Sequence, residues 1–561
     1  MQFRKTAARK VAIGSLTWQR TFTQALLAAA IALQAGHCFA AQSTAPQSGN
    51  SQNDGPKSGN SQNDSKETHI TKAEADELFR SVDLILKFVS QDSKYPIEHP
   101  VKRTLTTRDA VNTYVLTKFQ EDEGSQRMQR AEIVLKKFGL LDHDFHLRPF
   151  LVKLLTEQIA GYYDDKTKTV NLLDWIPADQ QKPVLAHELT HALQDQHVDL
   201  EKWEQQGILT TAKNTTEDNQ HIAVDEADDA RDAVLEGQAM AVFVDYSLQP
   251  MGKSITSDPD LVEKFKETME DSSTSPVMSR APLLLQESLL FPYREGLSFE
   301  QAILTKRNPE RAFSGTLDRP PASSYEILNP DAYLAHEPVP VLHLPDIHPL
   351  IDKDYTPYDV GVMGQLDVRI LTQLFGGDEA SSELTPAWAG GIYYAAQRKS
   401  AKTEQEKAST ASLGLIYYSQ WKNADSARTF ARVYADQLPR KYSSLKRRMS
   451  EEAKLPPPGS TDVTRPADEE QIYSTPEGDV LLVLSGHSVF VSEGFDLDVA
   501  RKIQALTVAA QGHGPLNIAQ QKDGEHSTLP ASSELSTSLI RVMSGAGMMK
   551  AGLHFDQAHM K

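Results

Sequence analysis

The stretch KPVLAHELTHALQDQHVDLEKW, Lys182 to Trp203, sets two imidazoles four residues apart, His187 and His191, with Glu188 beside the first. On a helix, side chains advance by about 100° per residue, so both imidazoles share a narrow stripe while Leu185, Leu189, Ala192 and Leu193 fall on the opposite face. Two imidazoles at this spacing can reach one tetrahedral zinc ion, and Glu188 stands where it can take a proton from a water that the ion activates. Pro183 suits the first position of this helix and Val184 to Gln196 contain no breaker, so a helix is expected with its apolar face in the core and its imidazole face turned away from it.

A catalytic zinc site needs a third protein ligand and one open position. The near candidate is His197, since HELTHALQDQH has the histidine spacing of the metzincin peptidases. That pattern breaks the helix at a glycine, and here the position is Gln194, a good helix former. On an unbroken helix His197 lies roughly 80° around the axis from His187 and about 9 Å beyond His191. The downstream Met-turn of that class has only Met278 to offer. The far candidate is Glu236 in DEADDARDAVLEGQAMAVFVDYSL, a carboxylate at the centre of an otherwise apolar helical pattern, where burial would be costly unless it were paired or metal-bound. Asp229 or Asp232, on the same face, could accept the far N–H of a ligating imidazole.

HELTH followed by a glutamate on a later helix resembles the gluzincin class of zinc metallopeptidases. More narrowly, AGYYDDKTKT, HELTHALQDQH, LEGQA, FPYREGLSFEQAI and RPPASSYEILNPDAY together resemble a group of bacterial metallopeptidase-like proteins over roughly residues 73–397. The resemblance implies zinc ligands His187, His191 and Glu236, with Glu188 as general base. Gluzincins often carry Asp four residues after the ligand glutamate. This chain has Met240 there, so the groups that support the ligands must come from elsewhere. An oxyanion donor is also needed, and Tyr293 in FPYREG, with Arg294 beside it, is the candidate, although Phe291 and Tyr293 could equally be core residues.

These residues need elements to hold them. Leu78, Phe79, Val82, Ile85, Leu86 and Val89 recur at helical spacing, as do Phe150, Leu151, Leu154, Leu155 and Ile159, which Gly161 follows. YYDDKTKTVNLLDW reads as a hairpin around an Asp-Asp-Lys-Thr turn. The segment 201–228 is mostly polar and reads as a surface excursion, and Ser323 or Ser324 is placed to cap a short helix. The Pro-rich run HEPVPVLHLPDIHPLIDKDY marks a change of module, with His343 and His348 as loop residues. Beyond it come a helical stretch from Tyr358 to Leu374, a helix carrying Ala427, Phe430, Ala431 and Tyr434, a β-meander over 471–494, and a closing helix near Leu497 to Ala509. The expected class is α+β: a mainly helical zincin-like catalytic domain over 71–345 with a small sheet, then a smaller α+β unit over 355–510.

At the N-terminus, Arg4, Lys5, Arg9, Lys10 and Arg20 precede the apolar run ALLAAAIALQAG and the small-residue exit CFAAQ, which reads as a signal peptide over 1–41. Its removal takes the only cysteine, Cys38, and leaves a mature chain with no disulfide and no thiolate ligand. A polar linker over 42–70 repeats SGNSQND, and the Gly-rich polar tail over 511–561 reads as disordered. The net charge of −18 argues against a nucleic-acid partner, and no segment beyond the leader suits a membrane. The expectation is an exported zinc metallopeptidase, periplasmic or secreted, acting on a peptide or protein. The alternative is a zincin-like binding or envelope-assembly protein whose zinc is structural or lost.

Overall fold

The computed structural model describes residues 69–111, 113, 122–158, 161–203, 214–257, 260–270, 276–448 and 470–511. The expected leader lies outside these residues, as do nearly all of the linker and the tail. The chain is α+β, with a three-stranded and a seven-stranded sheet. Among the described residues no helix is long and apolar enough to cross a membrane.

Helix α1, Lys72–Ser93, starts at a capping box in which the Thr71 hydroxyl accepts from Glu74 N and the Glu74 carboxylate accepts from Thr71 N. It buries Leu78, Val82, Ile85, Leu86 and Val89, as the periodicity requires. Strand β1 (Lys102–Thr106) and helices α2 (Asp122–Phe138) and α3 (Leu147–Gln158) lead to the expected hairpin, β2 (Tyr162–Asp164) and β3 (Thr169–Leu173). Asp164 shapes its turn by accepting from the backbone N–H groups of Lys166 and Thr167. β2 pairs antiparallel with β3 and β1 pairs parallel with it, so β2 is an edge strand.

Helix α4, Ala178–Val198, carries the histidine motif and begins five residues before Pro183, which therefore lies inside it. The hydrogen bond that Pro183 forgoes would have gone to the carbonyl of exposed Asp179, in the first turn, where solvent can replace it. The expectation of a free imidazole face fails too, because Val184 to Asp195 are buried without interruption. Gln181 fastens the helix start to β3, accepting from Leu173 N at 3.0 Å and donating to Leu173 O at 2.9 Å.

The polar excursion is only partly a surface feature. Helix α5, Thr215–Ile222, buries Asp218, His221 and Ile222, and Asn219 exchanges two hydrogen bonds with the backbone of Leu344. Next come α6, Ala227–Leu248, and α7, Leu283–Lys306, which cross in backbone contact. A Cβ on Gly237 would overlap the Gly296 carbonyl group, and one on Gly296 would overlap the Ala233 carbonyl oxygen. Ser323 caps the short helix Ser324–Leu328 by accepting from Tyr325 N.

After the Pro-rich run, the residues expected to start a helix at Tyr358 form β4, Tyr355–Val362, because they pair antiparallel with β5, Trp388–Arg398. Helix α8 follows at Gln365–Leu384. The larger elements that follow are β6 (Leu413–Trp421), α9 (Ala424–Lys441), β7 (Lys446–Arg448), β8 (Glu470–Thr475), β9 (Gly478–Ser485), β10 (Ser488–Glu493) and α10 (Leu497–Ala510). The strands form one antiparallel sheet in the order β4-β5-β6-β10-β9-β8-β7. Its core is continuous with that of the preceding region: Phe138 of α2 meets Tyr393 and Tyr417 edge-on, with centroids 5.6 and 5.9 Å away.

A cluster of buried carboxylates joins the start of α6 to this sheet. Asp225 accepts from Val362 N at 2.6 Å, Glu226 accepts from the Ser324 hydroxyl and backbone N–H, and Asp367 accepts from Gly364 N at 2.9 Å. Asp229, Asp359 and His221 face the same cluster, with His221 Nε2 3.5 Å from Asp225 Oδ1. Burial pushes Glu226 up to about 7, and burial together with Glu226 pushes Asp367 up to about 8.

Two outcomes follow from this architecture. Gly237→Ala gains about 1 kcal/mol of helix propensity but overlaps backbone, and overpacking of that kind costs typically about 1–3 kcal/mol, so with the overlap falling on backbone a net loss of about 1–2 kcal/mol is expected in urea unfolding. An unchanged or higher midpoint would show that α6 and α7 can part freely. For the acid cluster, folded pKa values lie above the unfolded carboxylate values of about 4, so its contribution is complete below about pH 4 and is lost as pH rises through about 7 to 8. The double variant Glu226→Gln/Asp367→Asn should therefore lose less stability than the wild type between about pH 5 and 8. Parallel stability curves for the two proteins would contradict this.

Candidate metal centre

His187 and His191 leave α4 on one stripe and meet Glu236, which comes from α6. The two Nε2 atoms lie 3.0 Å apart, and Glu236 Oε2 is 3.2 Å from His187 Nε2 and 3.5 Å from His191 Nε2. Four donors at about 2.0–2.1 Å around a tetrahedral ion are roughly 3.3–3.4 Å from one another, so this triangle is the right size for three ligands of one ion. Among the described residues it is the one group of three such donors that could hold a metal. His343 lies in an irregular segment, whereas His348, expected in a loop, opens the short helix His348–Ile351 and faces Asp218 at 3.7 Å.

Protonation suits the same purpose. His191 Nδ1 donates to Gln194 Oε1 at 2.8 Å, which leaves its Nε2 as a lone pair. Burial pushes His187 down to about 4, against the pull of Glu236. Burial works to raise Glu236 as well, but the neighbouring imidazoles bring it down to about 2. A neutral His187 ring and an ionised Glu236 carboxylate are forms that bind a divalent cation.

Glu188 is fully buried beside the ligands, and its Oε2 accepts from Tyr163 N of β2 at 2.8 Å. The hairpin is locked onto α4 at a second point, where Asp195 accepts from the Tyr163 hydroxyl at 2.6 Å and pairs with Lys168 at 2.7 Å. Tyr293, on α7, is buried with its ring nearly parallel to that of His187, centroids 6.4 Å apart. Its hydroxyl hydrogen-bonds Glu236, and burial with the charges of Glu236 and Glu188 keeps the phenol protonated far above its ordinary range. The candidate oxyanion donor is thus next to the ligands but engaged with one of them.

His197 is not brought to the cluster. The helix runs on unbroken to Val198, and the His197 ring packs against Tyr95 and meets Asp318 at 3.3 Å. Met278 is buried in a short 3-10 turn, Met278–Arg280, so the metzincin-like set does not assemble. Neither Asp229 nor Asp232 takes the Nδ1 proton of His191; Asp229 belongs to the acid cluster instead. The group that does take it is Gln194. Its position three residues after His191 was a signal, since a residue so spaced lies on the same helical face.

Bound metal should separate the residues. After dialysis with zinc, elemental analysis should find one ion per wild-type chain, little in Glu236→Ala or His187→Ala, and the wild-type amount in His197→Ala. Metal lost on His197→Ala and kept on Glu236→Ala would reverse the ligand assignment. Comparison with known proteins adds no family: no family model, no curated protein and no solved structure matches the chain.

Proposed function

We propose that the chain is an exported, zinc-dependent metallopeptidase of gluzincin type, with His187, His191 and Glu236 as ligands and Glu188 as general base. The observation that carries this reading is Glu188: a buried carboxylate next to the ligand set, held in orientation by Tyr163 N–H, yet not itself part of the triangle. A site that held metal only for stability would need ligands and no base. The donor set of two imidazoles and a carboxylate suits zinc, which when bound polarises a carbonyl and acidifies water.

The remaining work falls to the chain. Glu188 takes the proton of the attacking water and passes it to the leaving amine, a role worth typically 10²–10⁴ in rate. The bond from Tyr163 N–H keeps the Glu188 carboxylate from turning as its charge changes. Tyr293, kept as a phenol, can turn its proton from Glu236 to the developing oxyanion. β2 is the edge strand of its sheet and its backbone faces Glu188, so an extended peptide that reached this edge would bring its carbonyl to the base.

One observation favours the alternative of a structural metal in a binding or assembly protein: His187, Glu188 and His191 have no exposed surface and Glu236 has 3%. Glu188→Gln separates the two readings, because it preserves shape and ligands. On a mixture of unfolded proteins, the variant should keep its zinc while cleavage falls by about 10²–10⁴. A zinc-loaded wild type that cleaves nothing in that mixture would favour the structural reading.

A further inference from the structure

Gln194 is fully buried, and its amide is engaged at both ends. Its oxygen accepts from His191 Nδ1 at 2.8 Å, while its nitrogen donates to Leu235 O at 3.0 Å and to Gln238 Oε1 at 2.8 Å. The first bond grips a ligand on α4. The second grips the peptide group that precedes Glu236 on α6. We infer that Gln194 is the positioning residue of the metal centre, setting the tautomer of His191 and the approach of the Glu236 backbone with one side chain. The inference rests on the metal-site reading given above.

The amide cannot be reversed. With oxygen and nitrogen exchanged, Gln194 Oε1 would face the carbonyl oxygen of Leu235, two acceptors in contact. Its nitrogen would need His191 Nδ1 as an acceptor, which would move the ring proton to Nε2 and remove the lone pair the metal requires. Gln238 holds the same sense from outside. Its oxygen accepts from both Gln194 and the Tyr95 hydroxyl, the latter at 2.8 Å, while its nitrogen donates to Phe313 O at 2.9 Å and Thr316 Oγ1 at 2.8 Å. The direction of hydrogen bonding therefore runs from main-chain and side-chain acceptors around residue 313 back to one imidazole proton.

The same pattern explains why an amide stands where metal sites often use a carboxylate. A carboxylate at 194 could accept from His191 but could not donate to Leu235 O and Gln238 together. It would also add a further buried negative charge close to Glu236 and Glu188. Only a group that accepts at one end and donates twice at the other satisfies all three neighbours.

The test is zinc affinity by competition with a chromophoric chelator, with the visible spectrum of the cobalt(II)-substituted protein as a second readout. Gln194→Met keeps the shape and removes all three hydrogen bonds, and should weaken zinc by about 10–100-fold and alter the cobalt bands. Gln194→Glu keeps the acceptor for His191, and should recover part of that affinity. Gln181→Met is the control for stability alone, since Gln181 is buried on the same helix but bonds only to Leu173 and Ile176; its zinc affinity and spectrum should match the wild type. The inference is overturned if Gln194→Met binds zinc within about twofold of the wild type, or if Gln181→Met loses as much. It is also overturned if Gln194→Glu is no better than Gln194→Met. Absence of zinc binding in the wild type itself would instead remove the metal-site reading on which the inference stands.

Discussion

An ionised carboxylate stands beside the point where two helices cross in backbone contact. Glu236 has 3% exposure, and Gly237 beside it is in backbone contact with Gly296. Leaving such a charge unpaired in the interior costs several kcal/mol, so the surrounding groups must answer it. Two imidazoles on α4 converge on it, and a phenol on α7 hydrogen-bonds it. The glycines make this convergence possible, because any side chain at the crossing would move α7, and with it Tyr293, away from α6. Glu188 and Asp195 fasten the middle and end of α4 to β2, and Gln181 ties its start, remote from the charge, to β3.

The motif LEGQA then acquires a residue-by-residue account. Leu235 offers its carbonyl to Gln194, Glu236 offers its carboxylate to the imidazoles, Gly237 allows the crossing, and Gln238 fixes the sense of the amide network. Substitution at Glu236, Gly237 or Gln238 would be felt by the same donor triangle, whereas the Leu235 role is played by the main chain. Hydrogen-bonded networks in a low-dielectric interior are costly when partly broken, which makes this short segment unusually intolerant.

What could be read in the sequence was whatever local periodicity decides. His187 and His191 share a stripe because a helix puts i and i+4 together, and Glu236 stood out because an acid at the centre of an apolar pattern needs a partner. The hairpin and the capped helices Lys72–Ser93 and Ser324–Leu328 were legible for the same reason: their turn and cap residues act over a few positions. Residues 358–362 were misread as the start of a helix because pairing with β5, distant in sequence, overrides their weak local preference. Gln194 was read only as a missing glycine, since a hydrogen bond from its amide to Leu235, on another helix, has no trace in the spacing of residues. The polar segment before α6 looked solvated, yet Asp218 and His221 are buried against the larger sheet, where tertiary packing alone accounts for them.

The segment FPYREG shows how the site is also tied to α8. Residues Tyr293 to Gly296 make one turn of α7, so at about 100° per residue Tyr293 and Gly296 share a face while Arg294 and Glu295 point elsewhere. The first face meets Glu236 and the crossing. The second enters an ionic network in which Arg369, on α8, donates to Glu295 at 2.8 Å, and Arg294 donates to Glu287 at 2.9 Å. Burial acts to raise Glu295, but Arg369 and Arg294 hold it down to about 2, so it stays ionised and keeps its grip on α8. A rotation of α7 that relaxed the ion pairs would lift Tyr293 from Glu236, and one that moved Tyr293 would strain the ion pairs. The rotation of this helix about its axis is thus fixed from both sides, which makes the position of the phenol beside the His187, His191 and Glu236 triangle a property of the whole fold rather than of its own rotamer.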